Sequence, residues 1–327
     1  MKWMFKLLLL GATLWGGYWF IGAKAQEEAY ASLIESSRAT GWKVESQAPE
    51  LIGFPNRFDT TLTDLDFQSP GGNWGWRGES FQIKALSYQP NHVIAVWPGE
   101  HVLLTPGGNA SINSDQLRAS VVFSAKNNLP LERLQLEGTG IALVGNPQWT
   151  ANIGILNGAL FQNETTATRY RLGIVLANIT APSNLTSLLG AALPGLISEI
   201  RLSAQLDFDR EIDRHGFESG TPPKPVHAVI EPSQIIWGDS TLTIEGELSA
   251  ANNGYIEGHL SFDVLGWQPL YDVFAEASTM SPTNKLTLKR ALDGASNGQN
   301  LVFTVYFSNG EASIGPFTIG PAPIYPF

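Results

Sequence analysis

The chain contains no cysteine. Disulfides, thiolate metal sites and thiol nucleophiles are thereby excluded. The compartment stays open, because export permits disulfides without requiring them. Charge is also scarce: Asp, Glu, Lys and Arg make up 15% of the chain, against about 25% in an ordinary globular protein. Basic charge is scarcest, with 20 Lys and Arg against 30 Asp and Glu and a net charge of −10. Phosphate recognition needs a basic surface, so no nucleic-acid partner is expected. An acidic body is also repelled by anionic headgroups, so any lipid contact has to run through an apolar surface.

Catalytic signatures are missing as well. His92, His101, His215, His227 and His259 show no metalloprotease spacing and form no compact ligand set. Ser80 follows Gly78-Glu79 but lacks the second glycine of a nucleophile elbow. No phosphate-binding loop occurs. Gly138-Thr139-Gly140 lacks the third glycine of a dinucleotide fingerprint and reads as a bulge in a strand. Asp207, Asp209, Glu211 and Asp213 alternate at spacing two, which on a strand would offer one face of hard oxygen ligands. The simpler reading is a solvated strand end before a turn at Gly216. Glu50, Asp59, Asp64 and Asp66 are carboxylates that a glycosidase could pair, but nothing in the sequence brings them to one cleft. No enzyme activity, catalytic residue, cofactor or metal is therefore expected.

What is present begins with an apolar run from Leu7 to Ala23, flanked by Lys2, Lys6 and Lys24. At 1.5 Å per residue it reaches roughly 26 Å, slightly short of a hydrocarbon core of about 30 Å. Lysine snorkelling and Trp3 would close the gap. The anchor residues are Leu7, Leu8, Leu9, Leu10, Leu14, Trp15, Trp19, Phe20 and Ile21, with Trp15, Tyr18, Trp19 and Phe20 placed for an aromatic belt. Lysines before the run and Glu27 and Glu28 after it leave the N-terminus cytoplasmic. A cleaved signal peptide is the competing reading, since Ala23-Lys24-Ala25 has small residues at the spacing of a cleavage site. Either way the remainder lies outside the cytoplasm. The expected location is the inner membrane, single-pass, with the main domain in the periplasm.

Residues 26–41 read as a juxtamembrane helix closed by Gly41, with Ala29, Leu33 and Ile34 at helical spacing. From Trp42 the period becomes two. Leu134 and Leu136, Ile200 through Phe208, Leu242 through Leu248, and Leu260 through Val264 alternate with polar residues. This is the pattern of antiparallel strands with one buried face. Pro70-Gly71-Gly72, Pro106-Gly107-Gly108-Asn109, Asn253-Gly254 and Asn309-Gly310 mark turns, the last a hairpin. Leu185, Leu188, Leu189, Ala192 and Leu196 form a helical stripe that Pro194 would kink. A helix pair is expected over 268–280 and 283–295, with Thr283 as N-cap and Leu286, Ala291 and Leu292 inward. Trp74 and Trp76 fall in a loop-like stretch, where they either cover a sheet edge or meet a partner or membrane.

The fold class is thus mainly β with a few helices: curved antiparallel sheets around an apolar core or groove, preceded by one transmembrane helix. The expected divisions are an anchor at 1–25, a juxtamembrane helix at 26–41, and β-rich halves at 42–219 and 226–327. The linker between the halves is the segment from Gly220 to Pro225, and the last residues, Gly320 to Phe327, form an extended tail.

Gly53-Phe54-Pro55-Asn56-Arg57-Phe58, Gly246-Glu247-Leu248, Gly254-Tyr255-Ile256-Glu257-Gly258 and Gly315-Pro316-Phe317-Thr318-Ile319-Gly320-Pro321 follow the anchor in order. In this the chain resembles bacterial domain-of-unknown-function family 2125, over nearly its whole length. The layout also looks like a distant relative of AsmA-like envelope proteins, anchored by one helix and carrying an apolar β groove implicated in lipid movement. The resemblance implies non-enzymatic binding of a lipid or an envelope component. The alternatives are a scaffold docking other envelope proteins and, behind it, a hydrolase. A bacterial source makes the four glycosylation sequons at Asn109, Asn163, Asn178 and Asn184 coincidental.

Overall fold

The computed structural model describes residues 2–146, 149–180, 182, 193–218, 222–251, 254–277 and 281–325. The chain is mainly β, with antiparallel strands and four helices among the described residues, one of them a long apolar helix at the N-terminus. It forms two compact units, Met1–Gln148 and Trp149–Phe327. The expected division between 219 and 226 falls within the second of these, and residues 219–221 lie outside the described residues.

Unit 1 opens with α1 (Lys2–Ala39), one uninterrupted helix covering both the expected anchor and the expected juxtamembrane helix. Nine strands follow: β1 (Lys43–Glu45), β2 (Glu50–Ile52), β3 (Arg57–Gln68), β4 (Gly75–Leu86), β5 (Gln89–Val96), β6 (His101–Thr105), β7 (Gly108–Asn113), β8 (Gln116–Phe123) and β9 (Leu131–Asn146). Both β5 and β6 pair with β4, and both β7 and β8 pair with β9. Each short pair therefore acts as one long strand broken in the middle. The chemistry at the breaks explains them. Pro98 has no N–H to give a ladder, and Gly99 beside it takes φ +82°. Asp64 in β3 and Gly140 in β9 also adopt positive φ. The registers put these irregularities on one line across the sheet. Gly140 is required there, because a Cβ would overlap the Asp115 carboxylate.

Unit 2 is a meander of β10 (Trp149–Gln162), β11 (Arg169–Thr180), β12 (Leu196–Phe208), β13 (Pro225–Trp237), β14 (Ser240–Ala250), β15 (Ile256–Leu265), β16 (Asn300–Ser308), β17 (Glu311–Ile314) and β18 (Phe317–Pro321), each paired with the next. A short helix α2 (Arg214–Glu218) precedes β13, and α3 (Trp267–Ala277) and α4 (Pro282–Ala295) sit between β15 and β16. Asn309 and Gly310 both take positive φ, as a two-residue hairpin turn requires. Pro232 interrupts β13, an inner strand where its missing N–H would break the ladder. The strand bulges there, and Ser233 Oγ accepts from the Ser203 amide at 3.0 Å, replacing the lost pairing.

Several helix details differ from expectation. The N-cap of α4 is Ser281, whose Oγ accepts from the Asn284 amide, so Pro282 rather than Thr283 opens the helix. Leu288 and Leu292 face inward, whereas Leu286 and Ala291 are exposed. Leu286 lies one turn-step off the stripe that meets the sheet. Leu185 to Ala192 lie outside the described residues, as do Asn253, Gly220 and Met280. Leu196 begins β12 rather than ending a helix, and the Pro194 carbonyl accepts from Trp237 Nε1 at 2.6 Å. The tail is not free. Ile324 bridges Tyr255, and the Tyr325 hydroxyl donates to the Pro225 carbonyl at 2.6 Å.

Candidate functional site

Two features stand out from residues upward: the way α1 lies on unit 1, and the apolar face of unit 2. On α1 the positions with reduced exposure are Gly16, Trp19, Gly22, Ala23, Gln26, Tyr30, Ile34 and Ser37. Their spacing of three and four is one face of a helix. That face runs beside β3. Trp19 (7% exposed) and Ala23 form a buried cluster with Phe58 (3% exposed), and Leu51 packs on it. The Trp19 and Phe58 rings stack at 5.7 Å, and Phe54 meets Trp19 edge-on. Gly22 lets the helix approach, since a Cβ there would stand 2.7 Å from the Phe58 ring. Tyr30 lies beside Thr60, and burial pushes its phenol up. At the far end Arg38 donates twice to the Val44 carbonyl, at 2.9 and 2.6 Å.

The nine anchor residues are thereby divided. Leu7, Leu8, Leu9, Leu10, Leu14, Phe20 and Ile21 are exposed, and Trp15 is at the margin. Trp19, expected in an aromatic belt, is instead packed on the protein. Its partners, Phe54 and Phe58, are not among the residues expected from the sequence to meet it. The signal available was the small residues Gly16, Gly22 and Ala23 at helical spacing within the apolar run.

In unit 2, the registers line apolar side chains into rows across the sheet. One row runs Leu160, Leu172, Ala204, Ile230, Gly246, Leu260 and Val305. A parallel row runs Leu156, Leu176, Ile200, Ile235, Leu242, Val264 and Leu301. Helices α3 and α4 cover only one end. Val264, Trp267, Tyr271 and Leu301 are buried there, with Leu242, Phe262, Leu288, Leu292 and Phe303 packed around them. Among the described residues this cluster draws nothing from β10 to β13. Over those strands Leu172, Leu176, Ile200, Leu202, Leu206 and Ile230 are only half-buried.

The polar side chains are committed elsewhere. Asp207 takes both guanidinium nitrogens of Arg169, at 2.6 and 2.9 Å, and this holds its carboxyl below the usual range. His227 bridges Asp207 and Glu247 at 3.3 and 2.8 Å. Asp209 accepts from the Lys224 amide, Asp213 from the His215 amide, and Glu211 from Gln162. In these bonds each of the four acids has its own partners, none shared with another of the four, and no metal-binding cluster occurs among the described residues. In unit 1, Asp66 pairs with Lys43 at 2.9 Å, Asp59 with Arg57 and Asp64 with Gln47.

His92 Nε2 lies 2.9 Å from Ser120 Oγ, a contact between side chains of the paired strands β5 and β8. A shallow depression of about 260 Å³ in unit 2 is lined by Phe161, Gln162, Arg169, Tyr170, Arg171 and Gln205, and holds neither residue of that pair. Of the other histidines, His101 is buried and the His259 ring lies tilted against Tyr306 at 6.1 Å. Trp76 belongs to β4 and packs on Phe81, whereas Trp74 is exposed in the β3–β4 turn.

A mainly β chain led by one helix long and apolar enough to cross a membrane defines the class of protein. The chain belongs to the family described as an uncharacterized protein conserved in bacteria (DUF2125), whose model matches residues 19–323. The match begins at the docked Trp19. No curated protein and no solved structure matches the chain.

Proposed function

We propose that this is a non-enzymatic, membrane-anchored protein of the bacterial envelope that holds the acyl part of a lipid on the half-buried apolar rows of unit 2. The half-buried aliphatic rows over β10 to β13 carry this reading. Burying such side chains is worth about 25 cal/mol per Å², so aliphatic rows that keep part of their surface exposed among the described residues are a driving force for an apolar ligand. The net charge of −10 directs the contact to acyl chains rather than to anionic headgroups. Lys2 and Lys6 ahead of the apolar run and Glu27 and Glu28 after it support an inner-membrane anchor with both units in the periplasm. The likeness to AsmA-like envelope proteins adds an analogy of layout and nothing finer.

The test is native mass spectrometry of the full chain released from detergent, with extraction and identification of retained lipid. The full chain is needed because Trp19 and Ala23 pack on Phe58. Lipid retained by the natural chain and lost in Leu202→Glu supports the reading. An apo mass in both, unchanged after incubation with phospholipid, sinks it and leaves a scaffold that docks other envelope proteins.

A further inference from the structure

At one end of unit 1, two tight turns meet α1: residues 53–56 between β2 and β3, and Ser87-Tyr88 between β4 and β5. Both turns are free of charged side chains. Both present an exposed aromatic ring, Phe54 at 56% and Tyr88 at 62%, with Ile52 exposed beside them. Phe54 packs against Phe20, with their rings stacked at 5.6 Å, and lies over Gly16.

Turns expose backbone carbonyls, which ordinarily take water. Here α1 supplies the donors. Trp15 Nε1 donates to the Pro55 carbonyl at 3.0 Å, Tyr18 Oη to the Ser87 carbonyl at 2.6 Å, and Trp19 Nε1 to the Arg57 carbonyl at 2.7 Å. The turns also bond to each other: the Ser87 amide donates to the Asn56 carbonyl at 2.9 Å, and Ser87 Oγ to the Pro55 carbonyl at 3.2 Å. Ser87 is fully buried. At a water-exposed loop tip such provision is unnecessary. It becomes necessary where water is scarce, since an unsatisfied backbone group in an apolar medium costs several kcal/mol.

The position along the helix agrees. With Lys2 in one headgroup layer, Gly16 to Phe20 lies about 21–27 Å along the axis, against a hydrocarbon core of about 30 Å. That is the far acyl–headgroup boundary, where aromatic rings with one polar edge settle.

We infer that this end of unit 1 is itself a membrane contact: the 53–56 and 87–88 turns rest in the lipid interface beside α1, with Phe54 and Tyr88 inserted among the upper acyl segments. The inference rests on the anchor reading of α1 and extends it to the folded domain. The protein is then held by a helix and a fixed aromatic footing together, which sets the domain's orientation on the bilayer.

The absence of cysteine allows a direct test on the full chain. Phe54→Cys, Tyr88→Cys, Leu9→Cys and Trp74→Cys each receive an environment-sensitive fluorophore, in vesicles of phosphatidylethanolamine and phosphatidylglycerol. Trp74 marks the opposite end of the β3–β4 hairpin. Expected are a blue shift and quenching by shallow spin-labelled lipid at 54 and 88, quenching by deep-labelled lipid at 9, and neither at 74. Quenching at 9 with none at 88 overturns the inference while the anchor stands. No quenching at 9 overturns the anchor itself. Tyr88 is mostly exposed, so its substitution leaves the fold intact should Phe54→Cys disturb the packing on Trp19.

Discussion

The same substitution at two glycines of α1 should have opposite effects. Gly17 has no atom within 4 Å of where a Cβ would be, whereas at Gly22 a Cβ would stand 2.7 Å from the Phe58 ring and 3.5 Å from two further ring atoms. Replacing Gly by Ala in a helix gains up to about 1 kcal/mol at either site. At Gly22 the added methyl must also displace a ring that is 3% exposed and stacked on Trp19, an overpacking that costs about 1–3 kcal/mol. The two variants should therefore differ by roughly 1–3 kcal/mol in the docking of α1, or about 5- to 150-fold in its docked-to-undocked ratio. Hydrogen exchange of the full chain in detergent reads this in peptides from residues 24–39. That stretch is too short and polar to stay helical in water once it leaves β3. Gly22→Ala should exchange faster there than the natural chain, and Gly17→Ala no faster. Equal protection in the two variants would refute the docked helix and, with it, the division of the apolar run into lipid-facing and protein-facing sides.

Three further outcomes follow from single sites. His101 is buried, and its Nδ1 accepts from Trp76 Nε1 at 3.2 Å; burial pushes its pKa below the usual value. A histidine depressed in the folded state gives stability that is full above its unfolded value of about 6.5 and is lost as pH falls below it. Chemical denaturation at pH 7.5 and 5.5 should show that loss, and His101→Gln should reduce it; an unchanged pH dependence in the variant would exclude His101 as its source. In Gly258→Ala, the new Cβ would overlap the Glu247 carbonyl oxygen at a φ of +133°, so unit 2 should lose about 1–3 kcal/mol; a melting point equal to the natural one counts against the β14–β15 register. Arg169→Gln should raise the Asp207 carboxyl towards its ordinary value, because the guanidinium is the largest of the groups that lower it, ahead of His227. Natural Asp207 then contributes stability above about pH 3.9 that fades as pH falls through its folded value, and a carboxyl NMR titration that is unmoved by the substitution would contradict the pairing.

The strands were legible because apolar and polar residues alternate along them at period two. Ile200, Leu202, Ala204, Leu206 and Phe208 share one face of β12, and Asn309-Gly310 adopts the positive φ pair that its identity favours. The partition of unit 1 was not legible. The breaks at Pro98-Gly99 and Ser114-Asp115 split two long rows into four strands, and only pairing with β4 and β9 shows that they remain rows. The helix α1 failed differently. A hydropathy window weighs Leu9, exposed, and Trp19, buried on Phe58, by the same rule. It reports that a segment avoids water and is silent on whether lipid or protein replaces the water. The run from Leu7 to Ala23 does both, with Leu7 to Leu14 open on all sides and Trp15 to Ala23 shared with β3 and its turns. Chemistry, not hydropathy, marks the division. Trp15, Tyr18 and Trp19 carry N–H and O–H groups that a purely lipid-facing segment would leave idle, and all three are spent on carbonyls of unit 1. Polar-edged aromatics crowded into one half of an apolar helix are therefore better read as partners for a nearby backbone than as a belt alone.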